Sequence, residues 1–110
     1  MREREIERVL CNEVKKLGGK AYKWVSPGNN GVPDRIIILP NKPVVFVELK
    51  TDAGKLTTLQ KSQIHTLEKL GQQVQVLYGM DGVSQFFYDM GFRNVSVALD
   101  KKYKTLEVQK

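Results

Sequence analysis

The sequence predicts an α/β fold, a mixed β-sheet flanked by helices. Three observations carry that expectation. Two strongly apolar runs, RIIIL at 35–39 and VVFVEL at 44–49, are separated only by PNKP, so they pair as an antiparallel hairpin. Their hydrophobicity is continuous rather than alternating, which calls for cover on both faces. Segments of helical period stand before and after them, giving the order helix, strand, strand, strand, helix, strand, helix, strand.

The elements follow in chain order. Ile6, Val9, Leu10, Val14 and Leu17 recur at helical spacing within residues 2–17, and Gly18-Gly19 supplies the stop. KAYKWVS (20–26) reads as a short strand, with Tyr22 and Trp24 expected in the core, and PGNNGVPD (27–34) is dense in turn formers. After the hairpin, TDAGKL (51–56) is a connecting loop. Residues 57–70 form a second helix whose apolar side is Leu59, Ile64, Leu67 and Leu70, with Gly71 after its end. VQVLY (74–78) is a strand, GVSQFFYDMG (82–91) a short helix and VSVAL (95–99) a final strand. Beyond Asp100 the chain is charged and weakly patterned.

Composition narrows the function. A chain of 110 residues, 41% hydrophobic and 27% charged, fits one domain, residues 1–110, with a modest core. Eighteen Lys and Arg against twelve Asp and Glu give a net charge of +6, which favours a polyanionic partner. Cys11 is the only cysteine, so an internal disulfide and cysteine-pair zinc sites are excluded, and a reducing cytoplasmic setting fits. His65 is the only histidine, which removes multi-histidine zinc sites and most histidine acid–base schemes. The N-terminus has no apolar core of signal-peptide type, and no apolar run approaches the ~20 residues of a membrane span. No membrane partner and no small-molecule cofactor are expected.

The chemistry concentrates at one end of the hairpin. Asp34 lies just before one strand, and Glu48 to Lys50 end its partner, so they arrive together. Glu48 and Lys50, two apart on a strand, share a face. With an odd number of connecting residues Asp34 lies opposite Lys50 on that face; with a four-residue turn it lies opposite Leu49. Two carboxylates a few ångströms apart repel unless something positive stands between them. Oxygen ligands of this kind suit Mg²⁺ or Mn²⁺, and Lys50 beside them could act on the attacking water or on phosphate charge. By itself such a triplet also describes a hairpin-end salt bridge.

The neighbouring residues narrow this further. Asp34 in GVPD (31–34), followed by VELK (47–50), has the Asp…Glu-x-Lys pattern of the PD-(D/E)xK nucleases. GVPDRIIIL, VVFVELKTDAGKLTTLQ and LEKLGQQVQVL together resemble the VRR-NUC (virus-type replication-repair nuclease) family over residues 5 to about 78. That resemblance implies a restriction-endonuclease-like fold and a Mg²⁺- or Mn²⁺-dependent endodeoxyribonuclease. Asp34, Glu48 and the backbone carbonyl of Leu49 would hold the metal. Lys50 would act on the water, and a helix-1 glutamate would complete the site.

Glu3, Glu5, Glu7 and Glu13 qualify by type. The related junction resolvases carry the acid in an Glu-Arg pair about three turns before the closing glycine, which selects Glu7, with Glu3 one turn earlier as the alternative. The family glutamine ten residues past the lysine corresponds to Gln60, which also closes a capping box from Thr57; Gln63 is its competitor. Arg35, Lys42, Lys55 and Lys61 are candidate phosphate contacts. Stand-alone members resemble Holliday-junction resolvases, implying a homodimer acting on branched DNA in the cytoplasm, the host's if phage-encoded. The rival expectations are a monomeric flap or nicking nuclease and an idle nucleic-acid-binding domain.

Overall fold

The computed structural model describes residues 1–108. Helix α1 (Glu3–Lys16) leads into β1 (Lys20–Lys23), β2 (Arg35–Ile38) and β3 (Val45–Lys50); then come α2 (Thr58–Lys69), β4 (Gln73–Tyr78), α3 (Gly79–Asp89) and α4 (Arg93–Val108). The strands form one sheet in the order β1-β2-β3-β4. The first two pairings are antiparallel and the β3–β4 pairing is parallel, with α2 as the crossover. The expected mixed sheet flanked by helices is therefore the fold.

Ile6, Leu10 and Val14 project from one side of α1 onto the sheet, where they meet Ile37, Val45, Val47 and Leu49. Helix α3 adds Met80, Val83, Phe86 and Phe87 to the same core, and α4 adds Leu99. The opposite face is less completely covered. Helix α2 packs there against β4 but buries no residue fully; Leu59 is 57% and Leu70 69% exposed, so the apolar side expected of this helix is partly open. Tyr22, expected in the core, is 54% exposed on that face, while Trp24 stacks on Phe46 with ring centroids 5.1 Å apart.

Residues 95–99 are helical, not a fifth strand. Val95, Ser96, Leu99 and Tyr103 lie on the inward side of α4 at helical spacing. Small serines let α3 and α4 approach closely, and Ser84 Oγ lies 2.8 Å from Ser96 Oγ. The alternation of VSVAL is thus overridden by packing against α3. Strand β1 is likewise shorter than expected, since the chain leaves the ladder after Trp24 N–H meets the Asp34 carbonyl at 3.0 Å. Among the described residues no helix is long and apolar enough to cross a membrane.

Register decides what the hairpin presents. Arg35 pairs with Val47, Ile36 with Phe46 and Ile37 with Val45. Continued one step each way, this sets Ile38 against Val44 and Asp34 against Glu48. The connection is thus odd, residues 39–43, with Asn41 in the left-handed region (φ 58°). Asp34 accordingly shares the face of Glu48 and Lys50, but it stands level with Glu48 rather than with Lys50 or Leu49. The longer turn draws the partner strand back by two residues.

Candidate metal centre

The loop from Ser26 to Asp34 is seated on the start of α2. Gly31 has φ +87°, and a Cβ there would come within 2.6 Å of the Leu59 backbone carbon, so only glycine allows this approach. Pro33 is fully buried and fixes the entry to β2. These contacts deliver Asp34 to the sheet end, where its Oδ2 accepts a hydrogen bond from the Leu49 N–H at 2.9 Å. Glu48 comes from the last residues of the central strand β3 and is 1% exposed. From the first turn of α1 Glu3 reaches the same place. One carboxylate oxygen from each of Glu3, Asp34 and Glu48 lies within 4.8 Å of the others.

Burial pushes the Glu48 carboxyl up to about 8; the Asp34 charge and a proton shared with Asp34 add to this, Glu3 adds a little, and Lys50 opposes it. Lys50 Nζ is 3.8 Å from Glu48 Oε2, and the lysine side chain is only 11% exposed. Its stem is enclosed by the following loop, because a Cβ on Gly54 would stand 3.2 Å from Lys50 Cβ. Asp52 in that loop sits against Gly79 at the start of α3, where any side chain would collide with it. This second anchor for the Lys50 loop has no sequence signal beyond an Asp and a distant Gly.

Gln60 is shared between two tasks. Its Oε1 accepts from the Thr57 N–H at 2.9 Å while Thr57 Oγ1 accepts from the Gln60 N–H at 3.1 Å, which is the expected capping box. Its Nε2 donates to Glu48 Oε2 at 3.1 Å. The cap therefore fixes the rotamer that holds the buried carboxylate.

Glu7 is placed elsewhere. Its Oε2 accepts from Arg35 Nε at 2.8 Å, and Arg35 Nη1 donates to the Ala21 carbonyl at 3.0 Å. The helix-1 acid that joins Asp34 and Glu48 is Glu3, one turn earlier. Arg35 follows Asp34 on a strand, so the two point to opposite faces, and the acid that grips Arg35 is not the acid beside Asp34. Lys42 is also remote: it lies in the turn at the other end of the hairpin, its Nζ 5.7 Å from the centre of the Phe92 ring. Lys55 and Lys61 are exposed on the segments that carry Lys50 and Gln60. His65 is exposed on α2, and of the three aromatics in α3, Phe86 and Phe87 are core while Tyr88 is 51% exposed.

Comparison with known proteins agrees with this architecture. Residues 3–81 match the family model described as the VRR-NUC domain. Over 81 residues the chain is 49% identical to "Putative nuclease p44" of Acyrthosiphon pisum secondary endosymbiont phage 1, covering 74% of this chain and 87% of that protein. A solved structure titled "VRR_NUC domain" superposes with a TM-score of 0.73 at 26% identity, covering 78% of this chain and 94% of the other. A second, titled "VRR_NUC domain protein", has a TM-score of 0.67 at 23% identity over 82% and 88% of the two chains, and shares the fold. The chain belongs to the VRR-NUC family of nuclease domains.

Proposed function

We propose that this protein is an endonuclease that hydrolyses DNA phosphodiesters with Mg²⁺ or Mn²⁺, held by Glu3, Asp34, Glu48 and the backbone carbonyl of Leu49. The observation that carries the reading is the convergence of three carboxylates, from three separate elements, to within 4.8 Å at the end of the sheet that also presents Lys50. The donor set fits such an ion: all ligands are oxygen, and a buried acid that retains its proton only because of burial and like charge gains most from a cation. A bound divalent ion supplies charge stabilisation to phosphate oxygens during attack.

The protein's own groups do the rest. Gln60 holds Glu48 in orientation through Nε2, with its other end locked in the α2 cap. Lys50, largely buried and enclosed by its loop, orients the attacking water or offsets charge on the phosphate. Lys55 and Lys61 provide exposed positive charge for the flanking DNA backbone, a contact that positions without reading bases. Selectivity then comes from DNA shape, and branched DNA such as a four-way junction is the proposed substrate. A homodimer suits its symmetry, and the half-open sheet face with Tyr22, Ile38 and Val44 (54, 40 and 42% exposed) supports self-association there. A host cytoplasm is the proposed compartment, in keeping with a phage-encoded relative.

The test is cleavage of linear duplex, flap, fork and four-way-junction DNA by the purified protein in Mg²⁺, Mn²⁺ and excess EDTA. The reading expects metal-dependent cutting that favours the junction. Full cleavage in EDTA would refute the metal-dependent mechanism, and equal cutting of linear duplex would refute structure selectivity.

A further inference from the structure

Glu3 and Glu7 lie one turn apart on the same side of α1, yet only Glu3 joins the carboxylate cluster. Glu7 instead closes a chain of contacts that ends beside it. Arg35, which Glu7 grips at 2.8 Å, is the residue immediately after Asp34, and a second guanidinium nitrogen, Nη1, donates to the Ala21 carbonyl at 3.0 Å. One rigid planar fork thus ties α1, β1 and β2 together, one turn away from Glu3 and one residue away from Asp34. The two side chains are 22% and 27% exposed, so the pair is partly shielded from salt. Otherwise α1 is held by its apolar side, fully buried Ile6, Leu10 and Val14 with partly buried Val9 and Leu17, non-directional contacts that resist sliding or rotation of the helix weakly. The first turn, which carries Glu3, is exposed apart from half-buried Glu5 and buried Ile6.

We propose that the Glu7–Arg35 pair is a positioning device: it fixes the rotation and height of α1 so that Glu3 meets Asp34 and Glu48, and neither residue touches cation or DNA. Arg35, a basic residue beside the site, spends Nε and Nη1 on protein acceptors rather than on phosphate. The inference rests on the reading of Glu3, Asp34 and Glu48 as a divalent-cation site.

The experiment is Mn²⁺ titration calorimetry on the full chain, comparing wild type, Glu7→Gln, Arg35→Lys, Glu3→Gln, Glu48→Gln and the Glu3→Gln/Glu7→Gln and Glu3→Gln/Arg35→Lys doubles. Arg35→Lys keeps the charge and loses the fork, so it isolates geometry; Glu7→Gln supplies the same measurement if the lysine variant folds poorly. Each single change in the pair is expected to weaken Mn²⁺ about tenfold, the lower end for groups that orient metal ligands. In the Glu3→Gln background neither change should weaken it further. Wild-type affinity in Arg35→Lys would overturn the proposal, as would an equal loss in both backgrounds. Metal-free DNA binding by the charge-removing Arg35→Gln should keep the wild-type salt slope, and a slope reduced by about one phosphate contact would make Arg35 a DNA ligand instead. Absence of Mn²⁺ binding by wild type defeats the cation-site reading itself, whereas wild-type binding that Glu3→Gln and Glu48→Gln weaken upholds it and leaves the pair to be judged alone.

Discussion

Glu48 shows at the scale of one residue how a site departs from the rule for ordinary cores. A 1% exposed acid costs stability unless its charge is removed or matched. In the fold it keeps its proton up to about pH 8, whereas the ordinary value for an unfolded chain is 4.5. Between those values the folded state binds the extra proton, so metal-free stability should fall as pH rises from 4.5 towards 8 and level off above. Thermal melts in EDTA check this: Tm should drop across that window for wild type, and Glu48→Gln should flatten the slope and raise Tm near pH 8. An invariant wild-type Tm would contradict the protonated buried acid. Asp34, Glu48, Lys50 and Gln60 are legible in the sequence as a group: alternation puts Glu48 and Lys50 on one face, and the resemblance to VRR-NUC domains adds Asp34 and Gln60. The sequence does not distinguish Glu3 from Glu7, since two acids one turn apart have the same period and only the position of Arg35 separates them.

At the scale of elements, α2 joins folding to chemistry through its first turn. Thr57→Ala removes the cap and should cost about 1 kcal/mol of stability with cleavage largely retained. Gln60→Ala should cost a similar amount and also lower cleavage at least tenfold, because Glu48 loses its only hydrogen-bonded orienting amide among the described contacts. Denaturant melts read against initial cleavage rates separate the two; equal activity loss in both variants would mean that the cap alone matters. The helices and strands up to residue 78 stand where their sequence patterns place them, although β1 ends early and the apolar side of α2 stays partly open. Failure comes at VSVAL, where β-branched alternation competes with a helical inward side of Val95, Ser96, Leu99 and Tyr103, and contact with α3 decides. The hairpin register was open for a similar reason. A turn containing two prolines and a left-handed Asn41 can close at several lengths, and only the pairing of Arg35 with Val47 fixes which residue faces Asp34.

At the scale of the whole molecule, one sheet face is filled by α1, α3 and α4, and the other is shared between α2, the carboxylate cluster and exposed apolar side chains. Composition foretold the charge of the molecule but not this division, because continuous apolar strands imply cover without saying that a second molecule could supply part of it. If that face is the dimer contact, Ile38→Asp should convert the protein to monomers in sedimentation equilibrium at micromolar concentration without unfolding it. A wild-type monomer under the same conditions would remove the dimer. The claim on which the account turns is that the sheet end carrying Glu3, Asp34, Glu48 and Lys50 is where DNA is cut. Its most direct test is the initial rate of four-way-junction cleavage in Mg²⁺ by wild type and Lys50→Ala. The account predicts at least a ~100-fold fall in rate with DNA affinity nearly unchanged; wild-type cleavage by Lys50→Ala would contradict it.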